Sequence, residues 1–195
     1  MNNYIEIYTD GSCFNNGKSN STGSIGVFFG LNDLRNISLS INDTKITNQR
    51  MELLAVIKSL DKLNHSEKAY IYTDSKYVIN SMTKWVRTWE DNNWQKSNKK
   101  TIENLDLISE LREKLKSKFI IFKHVKAHQN EPKKDDFNYK HWYGNKMADE
   151  LALMANKNNI KNILNKQINN TLDIIKNNND LKKIKNYKLN NDFNI

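Results

Sequence analysis

One cysteine, Cys13, is all that the 195-residue chain contains, and a lone thiol excludes an internal disulfide and any multi-cysteine zinc cage. An intracellular protein is the expectation that follows. Long apolar runs are missing too. No stretch approaches the ~18 residues of a membrane-spanning helix, and the opening Met1-Asn2-Asn3-Tyr4 leads straight into an alternating strand pattern, without the basic and apolar regions of a signal peptide. No association with a membrane is expected. Hydrophobic residues make up only 37% of the chain, short of the usual roughly 45–50%, so the core must be concentrated in part of it.

What is abundant is positive charge. Thirty-one Lys and Arg stand against 22 Asp and Glu, a formal +9. The residues from Asn156 to Ile195 carry eight Lys and three Asp, or +5, together with 14 Asn and no aromatic before Tyr187. This bias predicts two parts: a domain over 1–155 and a basic, Asn/Lys-rich extension over 156–195. Helical spacing of Ile160, Ile163, Leu164, Ile168, Leu172 and Ile175 gives the extension some helical capacity. A polybasic segment either holds nucleic acid phosphates or is simply solvated, and composition leaves both open.

Within 1–155 the pattern is punctuated. Tyr4 to Asp10 alternates as a strand, Gly11 to Ser24 reads as a turn, and Ile25–Leu31 and Ile37–Ile41 read as two more strands. From Thr47 the period changes, with Leu53, Val56, Ile57, Leu60 and Leu63 marking a helix face that Thr47 or Asn48 caps. A strand is predicted over Ala69–Thr73, helices over Ser75–Met82 and Thr101–Leu115, a strand over Phe119–Val125 and a helix over Tyr143–Ala155. The order βββαβααβα implies an α/β domain with a five-stranded mixed sheet flanked by helices.

Two segments nearly repeat: Ile7-Tyr8-Thr9-Asp10-Gly11 and Ile71-Tyr72-Thr73-Asp74-Ser75. If their strands lie parallel and adjacent, about 4.8 Å apart, both acids emerge at the carboxyl ends, where open α/β sheets place ligands. Carboxylates that close repel, so one keeps a proton or a cation sits between them. The alternative is that each Asp merely caps the turn or helix that follows. Glu52, one position before the apolar stripe of its helix, and Asp149, four residues after Asn145 on one helix face, shift the balance. Four acids on regular elements beside apolar faces fit an all-oxygen site for hard divalent cations better than four independent caps.

Tyr8-Thr9-Asp10-Gly11-Ser12-Cys13, Thr47-Asn48-Gln49-Arg50-Met51-Glu52-Leu53, Tyr72-Thr73-Asp74-Ser75, Val125-Lys126-Ala127-His128 and Asn145-Lys146-Met147-Ala148-Asp149-Glu150-Leu151-Ala152 together resemble type 1 ribonuclease H, in the same chain order and over roughly residues 1–155. The resemblance implies the ribonuclease H-like fold and an endonuclease that hydrolyses the RNA strand of an RNA–DNA hybrid, leaving 5′-phosphate and 3′-hydroxyl ends. It implies Asp10, Glu52, Asp74 and Asp149 as ligands for two Mg2+, with Mn2+ as an alternative, and His128 as a mobile catalytic histidine. Two such ions about 4 Å apart would activate the attacking water and stabilise the leaving oxygen.

By the same matching, Gly11, Cys13, Asn16, Asn48 and Gln49 would face the RNA strand, distinguished by its 2′-hydroxyls in a wide minor groove. Trp85, Trp89, Ser97 and Lys99 would meet the DNA strand in a segment that resembles the family's basic protrusion. Lys45, Thr47 and Asn104 would form a pocket for a DNA phosphate. Residues 129–142 exceed the family's usual loop, and an insertion is expected there, held down near the site by Phe137, Tyr139, Trp142 and Tyr143. His141 is the weaker catalytic histidine. A monomer is expected. Two other readings compete: a ribonuclease H-like nuclease of another specificity, such as a DNA junction nuclease or exonuclease, and a non-catalytic hybrid-binding module.

Overall fold

Alternation in the first strand decides which side of the sheet each helix covers. In β1 (Ile5–Phe14) Ile5 and Ile7 point to one face and Tyr8 to the other. The computed structural model describes residues 4–18, 20–43, 45–127 and 129–157. His128, and the Ile160–Ile175 pattern with the rest of the chain beyond residue 157, lie outside the described residues. After β1 come β2 (Thr22–Phe28), β3 (Ile37–Ile41), α1 (Asn48–Leu60), β4 (Lys68–Thr73), α2 (Lys76–Asn80), a π-helical turn (Ser81–Trp85), α3 (Val86–Asp91), α4 (Leu105–Lys116), β5 (Phe119–His124) and α5 (residues 139–157). Because α2, the π-turn and α3 run on without a break, the order is the expected βββαβααβα. Among the described residues no helix is long and apolar enough to cross a membrane.

The sheet order is β3-β2-β1-β4-β5. β1, β2 and β3 pair antiparallel, while β1–β4 and β4–β5 are parallel, so the sheet is mixed. On one face, α1 and α4 bury Leu53, Val56, Ile57, Leu60, Ile108 and Leu111 against Ile7, Val27 and Ile71. Each such side chain contributes on the order of 2 kcal/mol by leaving water. On the other face, α5 lays Ala148 on Tyr8, Phe28 and Tyr72. Thr47 caps α1, its hydroxyl accepting from the Arg50 N–H, and thereby satisfies a donor that the first helical turn leaves unpaired.

Two glycines set the distances between layers. A Cβ at Gly11 would stand 2.2 Å from the Glu52 backbone nitrogen, and one at Gly26 only 1.9 Å from the Ala148 carbonyl oxygen. No side chain fits at either place, so α1 and α5 close directly onto strand backbone. Hydroxyls then hold α5 down: Ser24 donates to the Ala152 carbonyl and Ser38 to the Leu151 carbonyl, each at 2.7 Å.

Several element bounds differ from the sequence reading. β1 runs on through Gly11 to Phe14 and β2 begins at Thr22, because the antiparallel pairing Asp10↔Gly26 through Phe14↔Thr22 extends the hairpin. Between the two strands the described residues 15–18 and 20–21 are left outside the hairpin pairing, with Asn15 and Gly17 at positive φ. The helix expected from Thr101 starts at Leu105, after Asn104 in the left-handed conformation. The last helix starts at 139 rather than 143, so the last four residues of the expected insertion, 139–142, form an added helical turn. Phe137, expected to hold that insertion down, is 86% exposed.

Candidate active site

The near-repeat is a register. Ile7 pairs with Ile71 and Tyr8 with Tyr72 in parallel, which puts Asp10 and Asp74 at equivalent positions two residues further on. Beyond Tyr8, β1 stays paired with β2 while its pairing with β4 ends, so β1 and β4 part there and a crevice opens at the carboxyl ends. Open parallel sheets bind ligands at such a place. α1 enters over Gly11 and delivers Glu52, which is 7% exposed. Asp10, Glu52 and Asp74 each offer an oxygen, and these atoms lie within 4.8 Å of one another.

Asp149 arrives on α5, close enough that its charge acts on Asp10. The four acids line one cavity of about 510 Å³, together with Gly11, Cys13, Asn48, Lys126, Gln129, Trp142, Asn145 and Lys146. Burial, followed by repulsion from Asp74 and Asp149, pushes the Asp10 carboxyl up to about 7. Burial and the charges of Asp10 and Asp74 push Glu52 up to about 9. Buried acids that repel one another are stable when protonated or when a cation neutralises them. One Glu52 carboxylate oxygen, Oε2, is buried with no hydrogen-bond partner, as is the Asn145 side-chain oxygen. An all-oxygen donor set with an unsatisfied carboxylate oxygen fits a hard divalent cation.

The residues matched to RNA contacts fall at or beside this cavity. Gly11, Cys13 and Asn48 line it, the Asn48 amide donates to Glu52 Oε1 at 3.5 Å, and the Asn16 side-chain oxygen accepts from the Cys13 thiol at 3.6 Å. Gln49 is exposed at the start of α1. The residues matched to DNA contacts lie on other elements. Trp85 is 39% exposed, its ring 5.7 Å from that of Trp89, which packs against the core. Ser97 and Lys99 are exposed, and Lys99 has positive φ. Asn104 donates to the Tyr77 hydroxyl at 3.1 Å. Lys45 is exposed just before the capping Thr47.

The cavity also holds residues that the sequence did not assign a site role, among them Lys126, Gln129, Lys146 and Trp142, the last expected only to hold down the insertion. Asn145, also in the cavity, left a signal in its i, i+4 spacing from Asp149. His141 is spoken for elsewhere, stacked on Tyr72 with centroids 4.5 Å apart and its Nδ1 3.0 Å from the Tyr8 hydroxyl.

Residues 2–157 match the RNase H family. Over 146 residues the chain is 37% identical to a ribonuclease H of Schizosaccharomyces pombe, covering 75% of this chain and half of that protein's length. Over 154 residues it is 36% identical to ribonuclease HI of Haemophilus ducreyi, covering 79% of this chain and 91% of the relative. Among solved structures it is similar to LC9-RNase H1, a type 1 RNase H with the type 2 active-site motif, at TM-score 0.60 and 26% identity over 78% of this chain and 72% of that one. The fold is also shared with the PFV RNase H domain, at TM-score 0.61 and 24% identity over 78% of this chain and 93% of that one. With its sequence matched over residues 2–157 and its fold shared with these structures, the chain belongs to the ribonuclease H family.

Proposed function

We propose that the chain is an endonuclease that cleaves the RNA strand of RNA–DNA hybrids at the crevice between β1 and β4, using a pair of divalent cations, with Mg2+ as the working ion and Mn2+ as its substitute. The observation that carries this reading is the convergence of Asp10, Glu52 and Asp74 within 4.8 Å, with Asp149 acting on Asp10 from α5. Bound there, the cations would supply Lewis acidity to the attacking water and to the leaving 3′-oxygen.

The chain's own residues do the holding and aiming. Asp10, which feels the charges of both Asp74 and Asp149, would hold both ions. Glu52, carried by α1, would hold one ion and face the 2′-hydroxyl of the RNA. Asp74 would orient the attacking water, and Asp149 would complete the ligand set of one ion. Gly11, Cys13, Asn16, Asn48 and Gln49 meet the shallow minor groove, where 2′-hydroxyls mark the RNA strand whatever the bases. Trp85, Trp89, Ser97 and Lys99, with Lys45, Thr47 and Asn104, hold the DNA strand. By family resemblance His128 assists proton movement or product departure.

The test is one incubation series: the protein with Mg2+ and end-labelled RNA–DNA hybrid, double-stranded RNA, double-stranded DNA or a four-way junction, beside Asp10→Asn. Cuts confined to the RNA of the hybrid and lost in Asp10→Asn are expected. Binding without cutting, or cutting of another duplex in preference, overturns the reading.

A further inference from the structure

The acid cavity is lined by basic as well as acidic side chains. Among the described residues the cations lining it are Lys126, just after β5, and Lys146, on α5 three residues before Asp149. Lys146 is held against an aromatic ring. Its ammonium stands 5.1 Å from the centroid of the Trp142 ring, one turn earlier on α5, an arrangement in which the ring's negative face attracts the cation. Trp142 is in turn fixed by its indole N–H, which donates to the Gln129 carbonyl at 3.0 Å, and it lines the same cavity. The carboxylate facing Lys146 is Glu150, one turn further on, at 3.9 Å, the far limit of an ion pair and weak at a solvated surface. The ring thus holds the lysine at the cavity without using up its three N–H donors.

Charge decides what such a lysine is for. Four ionised acids carrying two dications sum to about zero, so the filled floor no longer attracts an ammonium. The phosphodiester that lies on that floor brings its own negative charge and those of its neighbours along the strand. We propose that Lys146, held over Trp142, is a phosphate-binding residue for the RNA strand, gripping a phosphate adjacent to the scissile one. This deepens the hybrid-cleaving reading and rests on it. The competing account is packing alone, in which the lysine stem covers the indole and the ammonium faces water.

Lys146→Met keeps the stem and its packing but removes the charge, and Lys146→Arg restores the charge. Steady-state cleavage of hybrid in Mg2+ between 0.05 and 0.3 M KCl is compared for parent and both variants, with thermal melting as the check on folding. A contact made equally in ground and transition state raises KM more than it changes kcat. Lys146→Met is expected to raise KM about three- to tenfold and to flatten the slope of log(1/KM) against log[salt] by about 0.7 to 0.9, with Lys146→Arg close to the parent. Hybrids with neutral methylphosphonates in the DNA strand should leave the parent–variant gap intact, whereas loss of the gap would assign the phosphate to the DNA strand and overturn the proposal. An unchanged KM and salt slope in Lys146→Met overturns it too, as does an equal loss in Met and Arg variants. Failure of the parent to cut hybrid at all would instead sink the functional reading beneath it.

Discussion

Without divalent cations this site should make the protein less stable as pH rises, and the size of the effect follows from the crevice. In the unfolded chain Asp10 releases its proton near 3.8; in the folded chain burial and the neighbouring acids hold it until about 7. Between those values the native state binds a proton that the unfolded state has lost, so the slope of unfolding free energy with pH is negative. The contribution is present in full below about pH 4 and gone above about pH 7. At about 1.4 kcal/mol per tenfold change in proton affinity, it comes to about 4 kcal/mol. Glu52 extends the window from 4.5 to about 9. Its rise includes repulsion from Asp10, so the two cannot be added, and about 4 kcal/mol is the figure to test. Asp10→Asn removes the group, and in EDTA the variant should match the parent near pH 4 and exceed it by about 4 kcal/mol at pH 9. Urea unfolding followed by far-ultraviolet circular dichroism from pH 4 to 9 reads this directly. Millimolar Mg2+ should close the gap at high pH, since a cation stabilises the ionised parent through mass action. A parent–variant gap that does not change with pH, or that grows as pH falls, would refute the assignment of repulsion to these acids.

Gly26→Ala places a methyl group 1.9 Å from the Ala148 carbonyl oxygen, and backbone that close has to move. A loss on the order of 3 kcal/mol is expected, read by urea unfolding, with cleavage activity falling as well because the displaced helix carries Asp149. Arg50 on α1 makes a two-pronged contact with Asp106 at 2.7 and 2.8 Å while its own side chain is only 7% exposed. Asp106→Ala should therefore cost about 1–2 kcal/mol, less than a fully buried pair because Asp106 is 61% exposed and Asp43 remains 3.6 Å away. Arg50→Met, which leaves no buried charge, should cost less than Asp106→Ala in the same unfolding assay.

Periodicity was enough to place most of the elements. Alternation in Tyr4–Asp10 identified β1, and the Leu53, Val56, Ile57, Leu60 stripe identified α1, because each pattern reports a face that must be buried. Ends were harder to place. The extension of β1 past Gly11 depends on hydrogen bonds to β2, a partner that no local pattern in a Gly/Asn/Ser-rich stretch announces. The start of α5 at 139 is another case. Its first turn packs His141 on Tyr72, a contact with a strand almost 70 residues earlier that the intervening loop composition does not encode. Phe137 looked like an anchor because aromatic side chains usually are, and it is 86% exposed.

The acids divide in the same way. That Asp10, Glu52, Asp74 and Asp149 belong together could be read from residue types, positions beside apolar stripes and the resemblance of five ordered motifs, all of which are properties of the chain as a string. How near they stand, and therefore that Asp10 and Glu52 hold their protons far above the ordinary carboxylate range, is decided by contacts between layers. Gly11 and Gly26 allow those contacts by having no side chain to keep the helices away. Nor did the string reveal that the Trp142 ring holds the Lys146 ammonium at the cavity. Their placement depends on the rotation of α5 about its axis, which the Ser24 and Ser38 hydroxyls and the close approach at Gly26 set only once the sheet has formed beneath it.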